Sequence, residues 1–242
     1  VVPVHLFGQV APVELIKESV RTQHIAVVED AAQSQGASRF GRMAGALGDA
    51  ASTSFYPGKN LGAAGDAGAV TTPVAGIAER IRLIANHGSA RKYMHDVIGV
   101  NSRLDTVQAV VLNAKLQRLE EWNARRRAAA ALYGQLLADV PGVRVPRSMA
   151  GNVDVWHLYV IRVARRDEVL ASLQESGIGA GIHYPYPLHL TRAYRSLGYR
   201  RKDFPVAEQA ASEILSLPLY PHITPAQQSQ VVSALRTAIG RA

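Results

Sequence analysis

The spacing of apolar residues changes twice within the first thirty positions. Short apolar runs at 1–6 and 25–29 flank a segment, 12–21, whose apolar residues recur at helical spacing. Short continuous apolar runs are typical of buried strands, and a period near 3.6 is typical of a helix. This order predicts a βαβ unit with parallel strands joined by a crossover helix, and hence an α/β protein.

The same patterns predict the remaining elements. Strands are predicted at 50–55, 67–71 and 156–163, and helices at 74–86, 166–176, 207–215 and 225–239. The segment 104–137 contains no proline and only one glycine, Gly134, which predicts one extended helix or two helices that meet at a bend. We expect this segment to bridge two domains. The predicted division is a large domain over 1–113, and a bridging helix with a small α+β domain over 114–242.

Composition excludes several classes of site. With 242 residues and 48% hydrophobic content, the chain can bury a sizeable core. No apolar run approaches the roughly 20 residues that cross a bilayer, so we expect no membrane partner and a cytoplasmic protein. The absence of cysteine excludes a disulfide framework, a thiolate zinc site and a cysteine nucleophile. No cluster of histidine and acidic residues has metal-ligand spacing, so no metal is predicted.

The net charge of +8 raises the question of a polyanionic partner. The densest basic run, Arg125 to Arg127, follows a helical pattern and precedes an alanine-rich stretch, which favours the solvated face of a long helix. A phosphate-bearing small substrate is the second interpretation, and nucleic acid is the third. No zinc-finger, homeodomain, RNP or basic-zipper pattern accompanies the charge, so nucleic acid is not predicted as a partner.

The strongest chemical signal is an acid followed by a lysine. Asp30 ends a strand-like apolar run, Lys59 lies 29 positions later, and Ser54 lies five positions before the lysine. A lysine amine condenses with an aldehyde as a Schiff base, and a carboxylate at a strand end can keep a pyridine nitrogen protonated. The Ser54 hydroxyl is close enough to Lys59 in the sequence to bind the phosphate group of a cofactor whose aldehyde reacts with the lysine. Although each residue alone has an ordinary structural explanation, the combination predicts a pyridoxal phosphate site with Lys59 as the catalytic residue.

Other candidate residues lie further along the chain. Asn101 and Arg103 open the long helical segment, where free N–H groups attract anions, although a simple helix cap is the alternative. Tyr93 belongs to a basic, aromatic stretch at 91–95 that suits a sugar or a diphosphate. His183 and Tyr184 lie in a proline-rich loop that also contains His189, and structural roles are the alternative for these histidines.

An ordered series of motifs resembles the DegT/DnrJ/EryC1/StrS family of sugar aminotransferases over nearly the whole chain. The motifs are PVHLFG (3–8), EDAAQSQG (29–36), SFYPGKNLG (54–62), GDAGAV (65–70), GVNSRLD (99–105), HYPYPLH (183–189) and LSLPLYP (215–221). The resemblance implies fold type I, with the later part of the large mixed-sheet domain followed by a small C-terminal α+β domain. It also implies pyridoxal 5'-phosphate as the cofactor, and an amino group moved from L-glutamate to a keto group, at carbon 3, of a nucleotide-linked hexose.

The resemblance assigns roles to individual residues as well. Gln33 would bind the ring hydroxyl of the cofactor. Asn101 would reach the cofactor phosphate of a neighbouring subunit, which implies a homodimer with shared active sites. The loop that carries His183 and Tyr184 would approach the sugar substrate. Tyr93 and Arg103 remain candidates for substrate binding because of their own chemistry.

Two alternatives remain open at this point. One is a nucleotide-sugar 4-aminotransferase, and the other is a non-catalytic, truncated binding or regulatory module. Family members carry a further segment before the PVHLFG motif, with a glycine-rich phosphate turn and an aromatic residue that stacks on the cofactor, so we expect this chain to be the later portion of a longer polypeptide. Some relatives that catalyse dehydration have histidine where this chain has Lys59, so the lysine favours amino transfer.

Overall fold

The computed structural model describes residues 1–241, and the side chains of residues 1–240. These residues form two compact units. Unit 1 comprises Val1–Ala124 and Ser148–His157, and unit 2 comprises Arg125–Arg147 and the chain from Leu158 onward. The division at 113/114 stays a prediction.

The elements follow in chain order. The strands are β1 (Val28–Asp30), β2 (Ser38–Arg39), β3 (Arg42–Met43), β4 (Ala50–Ser54), β5 (Gly68–Thr71), β6 (Ser89–Arg91), β7 (Met94–His95), β8 (Val143–Arg144), β9 (Asn152–Val153), β10 (Tyr159–Val163) and β11 (Ile214–Leu217). The α-helices are α1 (Val13–Val20), α2 (Ala75–Ala85), α3 (Thr106–Leu116), α4 (Leu119–Leu136), α5 (Arg166–Glu175), α6 (Pro205–Glu213) and α7 (Pro225–Arg241). Short 3₁₀ turns occupy Leu6–Gly8, Arg21–Gln23, Leu188–Leu190 and Arg192–Leu197.

A mixed sheet of order β1-β4-β5 supports the candidate site in unit 1. β1 and β4 are parallel, with Asp30 opposite Ser52, whereas β4 and β5 are antiparallel, with Ser54 opposite Gly68. The parallel pair confirms the α/β class that the apolar pattern predicts. Because β1 and β4 point the same way, Asp30 and Ser54 both lie at the carboxyl edge of this sheet, where ligands collect in open α/β sheets.

The first predicted strand is wrong in its extent. Residues 1–5 do lie parallel to β1, and the N–H groups of Val28 and Asp30 donate to the carbonyls of Val1 and Pro3. Only one bridge forms, between Val4 and Asp30. Pro3 has no N–H to donate, so one hydrogen bond of the ladder is missing there. The ladder ends at His5, whose N–H donates to the carbonyl of Asp30 at 3.0 Å, and the chain then turns at Leu6–Gly8.

One core cluster of unit 1 packs α1 against the sheet region. Its buried members are Val10, Val13, Val27, Ala37, Leu47 and Val155. Val13 opens α1, and Ile16 and Val20 of the same helix pack on the cluster from one side. The spacing of these three residues gives the helix the single apolar face that the sequence predicts.

Unit 2 is built on an antiparallel sheet of order β11-β10-β8, with α5, α6 and α7. The rings of Tyr133 and Tyr159 lie 5.0 Å apart in its core, and the hydroxyl of Tyr133 donates to the carbonyl of Pro218. Burial raises the pKa of Tyr159 to about 12. Both tyrosines are therefore neutral structural residues at ordinary pH.

Two helix predictions need refinement. The segment 104–137 forms two helices, α3 and α4, as the second of the two interpretations expects; Arg118 N–H donates to the carbonyl of Lys115 in the turn between them. The helix predicted at 207–215 ends earlier, at Glu213, and the next four residues form β11. β11 pairs with β10 along Tyr159–Arg162, so tertiary pairing overrides the helical pattern there.

Candidate active site

Asp30 is the last residue of β1, and one of its carboxylate oxygens accepts a hydrogen bond from the backbone. Oδ1 accepts the N–H of Ala32 at 3.0 Å, which fixes the orientation of the carboxylate. Oδ2 has no hydrogen-bond partner within residues 1–241. A fixed carboxylate with one available oxygen is suited to bind a protonated ring nitrogen.

Lys59 lies in the loop that follows β4, with a partly buried side chain. Burial lowers the pKa of its amine, whereas the nearby negative charge of Asp30 raises it, and the net pKa is below that of an ordinary lysine. The amine has no hydrogen-bond partner in the part of the chain that the structure describes. A lowered pKa increases the neutral fraction of the amine, which is the form that attacks a carbonyl.

The loop is fixed on the carboxyl side of Lys59. Asn60 is buried and donates from Nδ2 to the carbonyl of Val155 at 2.9 Å. Leu61 packs in an apolar cluster with Ala63, Leu112 and Leu119. Lys59 therefore lies beside two buried residues.

Gly62 closes this loop tightly. A Cβ at this position would lie 2.4 Å from the carbonyl oxygen of Pro57, so only glycine fits without movement of the backbone. The Lys115 ammonium donates to the Gly62 carbonyl at 2.7 Å and holds the end of the loop.

Ser54 and Gln33 flank the same sheet edge. The Ser54 Oγ accepts the N–H of Tyr56 at 3.2 Å, which leaves its hydroxyl hydrogen available to a phosphate oxygen. Gln33 is 6% exposed, and its Oε1 accepts the N–H of Phe7 at 2.6 Å. Of the sequence-predicted residues, Asp30, Gln33, Ser54 and Lys59 are thus brought to one end of the β1-β4 pair.

Asn101, Arg103 and Tyr93 belong to unit 1 but are exposed. The Arg103 Nε donates to the Asn101 Oδ1 at 3.2 Å, and Arg103 lines a cavity of about 750 Å³ together with Arg82. Tyr93 is 82% exposed on the turn between β6 and β7, with the Lys92 ammonium 4.9 Å from its ring centre. In the described chain these residues form no hydrogen bond or ion pair with Asp30 or Lys59.

His183 and Tyr184 belong to unit 2. The Nδ1 of His183 lies 2.8 Å from the hydroxyl of Ser216 on β11, and burial lowers the pKa of the imidazole. Tyr184 is 54% exposed, and its ring meets the His183 ring edge-on at 5.7 Å. His183 is therefore a neutral, oriented imidazole, and Tyr184 is an accessible phenol beside it.

His189, in the same proline-rich loop, has a structural environment. Its Nε2 lies 3.2 Å from Glu208, and its ring packs against Phe204 at 4.8 Å. The structural alternative for this histidine therefore has direct support.

Sequence reasoning missed the buried pair formed by His5 and Glu29, the residue that precedes Asp30 in β1. The His5 Nδ1 accepts the N–H of Ala11, and the His5 Nε2, which lies 2.7 Å from a Glu29 oxygen, is therefore the nitrogen that donates to this carboxylate. Although burial favours the protonated acid, hydrogen bonds from His5 and three backbone N–H groups lower the pKa of Glu29 to about 2. The residue before Asp30 is thus an ionised anchor that holds β1 in place.

The low pKa of Glu29 predicts how the stability of the protein changes in acid. The folded pKa of Glu29 lies below the ordinary value of 4.5, so its contribution is complete above about pH 5 and is lost as the pH falls toward 2. Glu29→Gln is expected to lower the free energy of unfolding at neutral pH by about 2–3 kcal/mol. Urea unfolding at pH 7 and at pH 3 measures the free energy of unfolding of both proteins. Between these two pH values the variant should lose less of this free energy than the parent.

The matched control is Glu168→Gln, which removes an exposed carboxylate that pairs with Arg165 on the surface. It should leave both the stability at neutral pH and its acid dependence close to those of the parent. Equal acid sensitivity of the parent and Glu29→Gln would contradict the role assigned to Glu29.

The residues at the sheet edge fit a pyridine aldehyde phosphate. Lys59 supplies an amine with a lowered pKa for the aldehyde, Asp30 supplies an unpaired Oδ2 for the ring nitrogen, and Ser54 supplies a hydroxyl hydrogen for the phosphate. No group of three histidine, cysteine or acidic side chains that could hold a metal ion occurs among the described residues. Within residues 1–241, no helix combines the length and apolar composition needed to cross a membrane.

Comparison with known proteins gives a consistent result. Residues 1–236 match the model of the DegT/DnrJ/EryC1/StrS aminotransferase family. The chain is 46% identical over 236 residues to the erythromycin biosynthesis sensory transduction protein EryC1 of Saccharopolyspora erythraea, which covers 98% of this chain and 64% of that protein. It is 44% identical over 234 residues to the dTDP-3-amino-3,4,6-trideoxy-alpha-D-glucose transaminase of Streptomyces venezuelae, covering 97% of this chain and 62% of the relative.

A solved structure extends the likeness to three dimensions. The crystal structure of S. venezuelae DesV in complex with a ketimine intermediate superposes with a TM-score of 0.95 at 44% identity. The match covers 100% of this chain and 65% of that one. The chain therefore spans somewhat less than two thirds of the length of these relatives.

Proposed function

This chain belongs to the DegT/DnrJ/EryC1/StrS aminotransferase family, and we propose that the protein transfers an amino group from L-glutamate to the keto group at carbon 3 of a nucleotide-linked hexose. The family depends on pyridoxal phosphate. The observation that carries the proposal is the position of the Lys59 amine near the Asp30 carboxylate at the edge of the sheet, with burial lowering the pKa of the amine although the charge of Asp30 raises it. Cytoplasmic localisation and a homodimer with shared active sites are parts of the same proposal.

When bound, pyridoxal phosphate supplies an electron sink for the carbon that bears the amino group. Asp30 would keep the ring nitrogen protonated through its Oδ2, while Oδ1 accepts the N–H of Ala32. In this proposal Gln33 would bind the ring hydroxyl and Ser54 would bind the phosphate, and Asn101 would reach the cofactor phosphate of the neighbouring subunit.

Lys59 performs two tasks. Its amine would hold the cofactor before the substrate arrives. Once displaced, the free amine would move a proton between the substrate carbon and the cofactor carbon, taking it from the carbon of L-glutamate in the first half of the reaction and delivering it to the carbon of the keto sugar in the second. Both tasks require a neutral amine, and partial burial raises its population at neutral pH.

The substrate assignment rests on the relatives and on charge. A relative at 44% identity is named as a transaminase of a dTDP-linked 3-amino sugar. The net charge of +8 suits a diphosphate. In this proposal Arg103 and Tyr93 contact the nucleotide-linked part of the substrate, and the neutral His183 and Tyr184 contact the sugar.

The position of the new amine tests the proposal. The full-length protein, with pyridoxal phosphate and L-glutamate, is incubated separately with a 3-keto and a 4-keto nucleotide hexose, and the product amine is located by NMR. Amination at carbon 3 is expected. Amination only at carbon 4 would favour the 4-aminotransferase. If neither keto sugar is aminated and the protein shows no cofactor absorbance band in the near-ultraviolet or visible range, a regulatory module would be favoured.

A further inference from the structure

Three buried side-chain amides belong to one hydrogen-bond network beside the Lys59 loop. Asn60, the residue that follows Lys59, donates from Nδ2 to Oδ1 of Asn123 at 2.9 Å. Asn123 donates in turn from its own Nδ2 to the main-chain carbonyl oxygen of Gln35 at 2.9 Å. The side chains are distant in sequence and almost completely buried: Asn123 is 0%, Asn60 is 6% and Gln35 is 9% exposed.

This hydrogen-bond network extends to the turn that follows Asp30 and to the end of β4. The Gln35 Nε2 lies within hydrogen-bond distance of the carbonyls of Ala32 and Ser54, at 3.1 and 2.8 Å, and of the Thr53 hydroxyl at 3.0 Å. Its Oε1 is buried without a hydrogen-bond partner in the described chain. Gln35 therefore acts through its donors, and those donors tie two backbone segments together.

These contacts connect the residues on either side of the candidate site. Ala32 supplies the N–H that fixes the Asp30 carboxylate, and Ser54 supplies the proposed phosphate contact. Asn60 shares a peptide bond with Lys59. The Asn60 and Asn123 side chains thus tie the Lys59 loop to the main chain at Gln35, and the Gln35 side chain ties that main chain to Ala32 and to the end of β4. A buried amide is costly to leave unpaired, so these bonds resist displacement of the segments that they join.

We propose that Asn60, Asn123 and Gln35 are positioning residues, which hold the backbone of Lys59 in one place relative to the turn that carries Asp30. This inference rests on the proposed function, because it assigns the three amides a role in orienting the amine of Lys59. It goes beyond that function by naming residues that act through Lys59 without touching the cofactor or the substrate.

The test measures the titration of Lys59 in the cofactor-free protein. Acetylation of each lysine by acetic anhydride is followed across a pH series by peptide mass spectrometry, with the exposed Lys202 as the internal reference. Asn123→Ala removes both hydrogen bonds of the central amide. The expected result is an upward shift of the Lys59 midpoint by about half a pH unit or more, which is about threefold less neutral amine below the midpoint.

A matched control separates positioning from stability. Gln228→Ala removes another buried amide, 1% exposed, which donates to the carbonyl of Ala129 in unit 2. This variant should lose stability without moving the Lys59 midpoint. If Asn123→Ala does not fold, then Gln35→Met, which keeps the volume and removes the donors, and Asn60→Ser are measured in its place.

Two results would contradict the inference, and they can be told apart. A folded Asn123→Ala, Gln35→Met or Asn60→Ser protein with the parent midpoint for Lys59 would show that the amides support folding only, and would leave the proposed function intact. A parent midpoint equal to that of Lys202 would remove the support for Lys59 itself, and the proposed function would fail together with this inference.

Discussion

Under the proposed function, Lys59→Arg is expected to lower the rate of amino transfer by roughly 10³- to 10⁴-fold in the full-length protein. Arginine keeps the positive charge and most of the length of the side chain. The guanidinium of arginine stays protonated in proteins, however, so it offers no neutral amine to hold the cofactor or to move the proton. Steady-state turnover with L-glutamate and the keto sugar measures the loss.

The assignment to Lys59 has a control and a direct chemical check. Lys17→Arg changes a partly exposed lysine that pairs with Asp49, and it should leave turnover unchanged. Borohydride reduction of the parent protein with cofactor, followed by peptide mass analysis, should place the adduct on Lys59. An adduct on Lys92 or Lys115 with none on Lys59 would overturn the assignment.

The elements that carry local signals could be predicted from the sequence. Helix α2 (Ala75–Ala85) lies within the predicted 74–86 because its apolar residues repeat at helical spacing. Strand β4 (Ala50–Ser54) likewise lies within the predicted 50–55. The candidate residues Asp30 and Lys59 could also be found, because a strand end and a following loop are visible as a pattern along the chain.

The features that were missed depend on contacts between distant segments. Asn123 is 63 positions from Asn60 and 88 positions from Gln35, and nothing in its local sequence marks it as buried. The basic run just after it suggests instead an exposed helix face. Strand β11 (Ile214–Leu217) exists because it pairs with β10, and that pairing cannot be seen in a helical pattern.

Glu29 illustrates why a motif alone gives an incomplete description of a site. In the sequence it is one half of an acidic pair, and the chemical argument selects only Asp30. In the structure the two carboxylates point to different environments: Glu29 accepts from His5 and from backbone N–H groups in the core, whereas Asp30 keeps one oxygen available. Alternation of side chains along a strand separates the anchoring acid from the candidate catalytic acid.

Asp30→Asn is expected to reduce turnover by roughly 30- to 1000-fold, with little change in folding. The asparagine has nearly the same shape, and its carbonyl oxygen can still accept the N–H of Ala32. What is lost is the negative charge that keeps the ring nitrogen protonated. Losing such a charge-assisted contact removes about 2–4 kcal/mol of transition-state stabilisation.

The measurement for this variant must separate chemistry from cofactor binding. Turnover is compared with the parent at saturating pyridoxal phosphate, and the absorbance of bound cofactor is recorded for both proteins. Asp139→Asn, an equal loss of charge at an exposed position of unit 2, serves as the control and should retain full activity. Unchanged turnover of Asp30→Asn with cofactor bound would disprove the role of Asp30, because the ring would then be an effective electron sink without the carboxylate.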